Sequence, residues 1–293
     1  MTILRLDTQT DSDVLDVVSR HYEPMMRVHG EINFDVDLGE ADVTVAATVY
    51  GARLPSVVYL PCCGALRHAP ALLARGVERL VAVDLSLESL TAGMARNLSG
   101  ADHEMLTVCQ ADLRRARDVL PEDGVELVFL GGNSIGDVTD VEGHLQFIAA
   151  LADALAPGGT LVFDYAGDRY APEPGAAVTE WPEIFHADGV DVAVIDRRSR
   201  RQTRVPGTAM HALQITCEVI DPETGEVYVA KHSYSKLMVP DAVLVEQFAA
   251  AGLALVNVGR VVEMSRYHRE RVRDVGDLGM LGAPNCFYRA TRL

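Results

Sequence analysis

A mostly parallel α/β sheet with helices on both faces is the fold class this sequence predicts, on three observations. Between about residues 55 and 166, short runs rich in Val, Leu and Ile alternate with segments of helical periodicity. Those runs are almost continuously apolar, as strands buried on both faces must be. Each run also ends in small or acidic residues, where the carboxyl edge of a parallel sheet binds its ligands.

The elements follow in order. Residues 56–62 (SVVYLPC) form a β-branched run closing in a small-residue turn, and 65–76 (ALRHAPALLARG) has helical spacing. Residues 79–85 (RLVAVDL) are a second buried strand and 88–98 a helix. Residues 105–110 and 126–130 are strands three and four. Residues 141–155 place Leu145, Ile148, Leu151, Ala152 and Leu155 on one stripe, stopped by Pro157, Gly158 and Gly159, and 160–164 form strand five. Three alternating runs then appear, at 190–197, 210–220 and 227–237; the last two are joined by the turn signal Asp221-Pro222-Glu223-Thr224-Gly225. They predict an antiparallel β-insertion at about 168–239. A helix at 240–253 and strands at 255–263 and 285–291 complete a seven-stranded sheet. Ahead of it, helices at 11–20 and 41–50 are expected to pack over the sheet's mouth. The domain division is thus a helical cap over 1–54 and a ligand-binding α/β domain over 55–293.

Composition narrows the function. The chain has 293 residues, with 26 basic and 42 acidic side chains and a net charge of −16. That balance repels phosphate backbones and anionic bilayers, so neither nucleic acid nor membrane is an expected partner. The acidic start lacks a signal peptide's apolar segment, and five cysteines without a CxxC pair fit a reducing, cytoplasmic setting. No metal-ligand spacing is visible. The exposed edges of a β-insertion are a route to a homodimer.

Four segments are expected to converge at the carboxyl edge. The first is the turn Cys62-Cys63-Gly64-Ala65, where backbone can approach a ligand beside a helix N-terminus. Asp84, 20 residues after Gly64, is placed to accept from both hydroxyls of a ribose. Asp112 follows strand three, where a carboxylate can accept from an exocyclic adenine amine. Gly131 and Gly132, before Asn133, open room beside a reacting centre. Each has a plainer reading: Asp84 as cap of the following helix, Asp112 as a solvated loop acid, the glycines as a tight turn. Their joint order, each just beyond a predicted strand, favours a site.

With those motifs in view, the chain resembles the class I S-adenosylmethionine-dependent methyltransferases, most of all bacterial small-molecule members akin to the glycine and amino-sugar N-methyltransferases. The resemblance runs from about residue 20 to the C-terminus, through VVYLPCCGALRHAPALLARG, VAVDLS, CQADL, VFLGGNSIG, LADALAPGGTLVFDY and SYSKLMVPDAVLVEQFAAAGL. It implies a Rossmann-like domain with S-adenosylmethionine as cofactor. Cys62, Cys63, Gly64 and Ala65 would hold the methionine moiety, Asp84 the ribose, Leu85 and Leu113 the adenine ring, and Asp112 its amine. The N-terminal helices and the insertion would form a lid and acceptor pocket. The family's first turn begins with an acid and holds three spaced glycines; here Tyr59 or Leu60 takes the acid's place and Gly64 alone remains.

The chemistry implied is methyl transfer to the nitrogen or oxygen of a small-molecule acceptor, in secondary metabolism. Candidates for acceptor contact are Asn133 after strand four, Tyr22 from the lid and His211 from the insertion, with Ser134, Tyr165, His186, His232 and Tyr234 behind them. The run Arg197-Arg198-Ser199-Arg200-Arg201 is either a solvated hairpin edge or a clamp for an anionic acceptor. The altered turn leaves two alternatives open. One is intramolecular attack within the cofactor's aminopropyl arm, releasing methylthioadenosine; the other is a protein of this fold that methylates nothing.

Overall fold

A computed structural model describes residues 3–5, 36–51, 53–100, 102–165, 167, 179–187, 190–220, 227–260 and 286–293. Its main sheet has eight strands, β1 (Leu4–Arg5), β2 (Val57–Pro61), β3 (Arg79–Asp84), β4 (Leu106–Gln110), β5 (Val125–Leu130), β6 (Leu155–Tyr165), β11 (Leu253–Arg260) and β12 (Cys286–Arg292). The order is β1-β4-β3-β2-β5-β6-β12-β11. Pairs from β1 to β6 are parallel, whereas β12 runs antiparallel to both β6 and β11. The seven expected strands are present, and β1 adds a two-residue edge to them.

Both faces of the sheet are buried, as near-continuous apolar strands require. Alternate residues serve opposite cores: Tyr59, Val81, Val83 and Val128 face one, and Val58, Leu60, Leu80 and Ala82 the other. The first core is covered by α4 (Val141–Ala154) and α5 (Asp241–Ala250). The second is covered by α1 (Val36–Tyr50), α2 (Ala69–Ala74) and α3 (Leu87–Asn97). Thus α1 starts earlier than expected and lies on a sheet face, with Val43, Val45, Ala46 and Val49 inside the second core. The expected helix at 11–20 lies outside the described residues. Helix α2 is shorter than its periodicity suggests, because Leu66 stands at φ 60° and Pro70 occupies the first turn.

The insertion is a separate four-stranded antiparallel sheet, β7 (Thr179–Ala187), β8 (Val190–Arg204), β9 (His211–Ile220) and β10 (Val227–Met238), in the order β10-β9-β8-β7. Sequence reading missed β7. Its Pro182 argues against a strand, but β7 is the edge of the sheet, where a residue without an N–H is tolerated. The arginine run falls within β8; Arg197 and Arg198 are paired to β7 and β9 at once, whereas Arg200 and Arg201 are paired to β9 alone among the described residues.

One buried hydroxyl fastens the insertion to the main sheet. Tyr165, at the end of β6, donates to Leu237 O at 2.6 Å and accepts from Val239 N–H at 2.8 Å. Gly136 comes so close that an added Cβ would lie 2.9 Å from Leu237 O. Tyr165→Phe is expected to destabilise the fold by about 1–3 kcal/mol, since a buried N–H loses its acceptor. The checks are a lowered urea midpoint and faster hydrogen exchange at the Val239 amide; an unchanged Val239 amide would contradict the bridge.

Candidate active site

The chain order of the strands reverses between β2 and β5, so the crevice beyond their carboxyl ends is the topological switch point. The turn after β2 forms one wall. Cys62 and Gly64 both have positive φ, at 49° and 51°, and Cys63 N–H donates to Val83 O at 3.1 Å. Helix α3 holds this turn from behind through Asn97, whose Nδ2 donates to Ala65 O at 2.8 Å. Cys63 is buried and Cys62 partly exposed; burial raises both thiols well above their ordinary pKa, with Asp84 acting in the same direction.

Asp84 is the hinge of the crevice. It is 5% exposed, and its carboxylate accepts from Gly64 N–H at 2.7 Å and from Ser86 N–H at 2.8 Å. The helix cap is Ser86, whose hydroxyl accepts from Ser89 N–H at 3.1 Å, so the plainer reading of Asp84 as that cap does not hold. Burial pushes the Asp84 pKa up to about 6, against the pull of the backbone N–H groups of Ser86, Gly64 and Leu85. Each oxygen retains a lone pair for a further donor. Leu85 is partly exposed beside it.

Asp112 caps the 3-10 turn Leu113–Val119, accepting from Arg114 N–H at 2.9 Å, and the Arg114 guanidinium pairs with both its oxygens. Contact with an adenine amine therefore requires that guanidinium to swing aside. Arg114 is exposed enough for such a pair to contribute little, about 0–1 kcal/mol. Leu113 is buried against the first core.

The second wall follows β5, and sequence reading understated it. Gly131 makes room for a side chain rather than a ligand: its missing Cβ would lie 2.8 Å from His68 Cε1. His68 is 5% exposed, set edge-on to Phe129, with Nε2 3.0 Å from Asp42 Oδ2. Burial holds its pKa below the ordinary value while Asp42 pulls the other way. His68 went unnoticed because it stands in what reads as continuous helix. Asn133 adopts the left-handed conformation (φ 59°) and aims its backbone N–H at both oxygens of Asp164, 3.1 Å from each. Its carbonyl accepts from Lys236 Nζ at 3.2 Å, and Lys236 also pairs with Asp137. Neither Asp137 nor Lys236 carries a sequence signal; they meet only because Tyr165 seats β10 on the turn after β5.

Of the other candidates, Tyr22 lies outside the described residues. His211 opens β9, paired with Met238 and Arg204, on the sheet face that also carries Lys236.

The chain as a whole superimposes on solved proteins. The amino pentose methyltransferase CalS10 of Micromonospora echinaspora, solved with S-adenosylmethionine bound, superimposes with a TM-score of 0.58 at 18% identity, over 93% of this chain and 96% of that one. DesVI of Streptomyces venezuelae gives 0.60 at 17% identity, covering 89% and 93%. The sugar N-methyltransferase KedS8 of a Streptoalloteichus species gives 0.57 at 19%, covering 92% of each chain. The chain has the fold of the class I S-adenosylmethionine-dependent methyltransferases. No protein-family profile and no curated protein sequence matches it. No helix among the described residues is long and apolar enough to cross a membrane.

Asp84 ends its strand beside the turn, and Tyr59, on β2 ahead of that turn, is 1% exposed with a buried hydroxyl that has no hydrogen-bond partner among the described residues. Such an orphan is normally satisfied by water or a ligand.

Proposed function

We propose that this protein is an S-adenosylmethionine-dependent methyltransferase acting on the nitrogen or oxygen of a small-molecule acceptor in secondary metabolism. The observation that carries the reading is Asp84, a buried carboxylate tying the turn after β2 to the end of β3 at the switch point. The fold shared with CalS10, DesVI and KedS8 supports it.

When bound, the cofactor supplies an electrophilic methyl group on a sulfonium. In this reading Asp84 accepts from the ribose hydroxyls while Gly64 and its neighbours bring backbone against the methionine moiety. Leu85 and Leu113 flank the adenine. The wall after β5, with Asn133 at its turn, aligns the acceptor with the S–CH3 axis, and the β-insertion closes over it. Alignment of this kind contributes up to ~7–11 kcal/mol to lowering a barrier. An amine acceptor has only to be held unprotonated, whereas a hydroxyl needs a neighbouring base.

The test is calorimetric titration with S-adenosylmethionine and, separately, S-adenosylhomocysteine. Micromolar binding is expected, and a folded protein that binds neither overturns the proposal. Product analysis separates transfer from the intramolecular alternative: methylthioadenosine released from cofactor alone would replace the first reading with the second.

A further inference from the structure

Just beyond β4 stands a carboxylate that the protein itself already satisfies. Asp112 is 8% exposed, and the Arg114 guanidinium closes on it as a fork. Arg114 Nε donates to Oδ1 at 3.0 Å and to Oδ2 at 2.9 Å, and Nη2 donates to Oδ2 as well. The Arg114 backbone N–H adds a donor to Oδ1 at 2.9 Å. The other arm of the guanidinium is held from α4, Nη1 donating to Gln146 Oε1 at 3.3 Å. Both carboxylate oxygens thus have charged donors before any ligand arrives.

Short contacts fix where this pair lies. β3 and β4 run in register, with Asp84 opposite Gln110. Beyond them Ala111 N–H donates to Asp84 O at 3.0 Å, and Gln110 Nε2 donates to Leu85 O at 3.2 Å. Asp112 therefore follows directly on a residue bonded to Asp84. What comes next rests on the methyltransferase reading of the site. With the ribose at Asp84, the base joined to that ribose lies among Leu85, Asp112 and Leu113, its exocyclic amine on the Asp112 side.

A site that hydrogen-bonds a ligand N–H ordinarily rejects the analogue lacking it, because a buried acceptor is then left unpaired. In this protein that penalty does not arise. Arg114 stays on Asp112 when the ligand has no amine, and must give way when it has one. We propose that Arg114 is a specificity-determining residue that makes the cofactor site nearly indifferent to the 6-amino group of the base. The purine is then selected by its apolar faces, against Leu85 and Leu113, and by the ribose hydroxyls at Asp84.

The experiment is calorimetry at pH 7.5 on wild type, Arg114→Ala and Arg114→Lys. The ligands are S-adenosylhomocysteine and its analogue with unsubstituted purine in place of adenine, which loses the amine and keeps the ring nitrogens. Wild type is expected to bind the two within about threefold, since a partly exposed ion pair and the amine contact replacing it nearly offset. Arg114→Ala is expected to raise the preference for the amine to about tenfold or more, the order of one hydrogen bond to a charged acceptor. Arg114→Lys keeps a donor beside Asp112 and should fall between them. A wild type that already prefers the amine about tenfold or more overturns the proposal. An alanine variant whose preference is no greater than that of wild type also overturns it. A wild type that binds neither of these ligands nor S-adenosylmethionine instead removes the methyltransferase reading beneath it. Matching thermal melts show that each variant is folded; the backbone N–H of residue 114 still caps onto Asp112 in all of them.

Discussion

Asp84→Ala is expected to abolish measurable cofactor binding while changing the stability of the ligand-free protein little. In the proposed complex its carboxylate accepts from two ribose hydroxyls. Hydrogen bonds to a charged group contribute about 1.5–3 kcal/mol each, so losing both lowers affinity by roughly two to four orders of magnitude. Stability responds differently because two effects oppose. The variant leaves the N–H groups of Gly64 and Ser86 without their acceptor, but it also removes a carboxylate that ionises unfavourably in the fold. A pKa raised from 3.8 to about 6 means that ionisation of Asp84 costs ~3 kcal/mol of stability at neutral pH. Between those two values the folded protein holds a proton that the unfolded chain has released. Asp84 therefore contributes a stability that declines as pH rises through this window and levels off above about 6. Affinity runs the opposite way, rising through pH 6 as the carboxylate ionises. Titrations from pH 5 to 8, beside urea unfolding over the same range, check both slopes. A wild-type affinity flat across pH 6, or an alanine variant that binds normally, would remove Asp84 from the ribose position.

How much of this was legible beforehand follows from which interactions are local. The core strands announce themselves because burial on both faces leaves almost no polar residue in runs such as 80–83 or 127–130. Asp84 and the turn at Gly64 were legible because strand ends fix their positions 20 residues apart. The β7 strand was hidden by Pro182, whose tolerance depends on an edge position that only the assembled sheet defines. His68 was hidden by a plausible helical periodicity, and nothing in Gly131 says that it yields space to an imidazole. The Asp137–Lys236 pair joins the main sheet to the insertion, a contact decided by how Tyr165 docks β10 and not by any nearby residue. Residues whose partners are local or set by strand ends were readable; those whose partners come from tertiary docking were not.

The same distinction produces an expectation opposite to the one helix propensity gives. Gly93 lies inside α3, where replacing glycine with alanine ordinarily stabilises a helix by about 1 kcal/mol. Here the added Cβ would stand 2.3 Å from Ala65 O, 2.5 Å from Ala65 C and 2.8 Å from Ala65 Cα. These are backbone atoms of the turn proposed to hold the methionine moiety, and no rotamer change relieves the overlap. Either α3 lifts from the sheet, where Leu90 is fully buried in the second core, or the turn moves into the crevice. The first outcome opens the core and the second breaks the short bond from Gly64 N–H to Asp84. Gly93→Ala is therefore expected to destabilise the protein by about 1–3 kcal/mol, as overpacking does, and to weaken S-adenosylmethionine binding at least tenfold. Urea unfolding and calorimetry on the same preparation read the two effects. Ala92→Gly on the same helix supplies the control, since it lowers helix propensity without touching the turn and should leave affinity intact. An alanine at 93 that stabilised the protein and bound cofactor normally would show that α3 does not buttress the turn. A destabilised variant with unchanged affinity would place the strain in the helix alone.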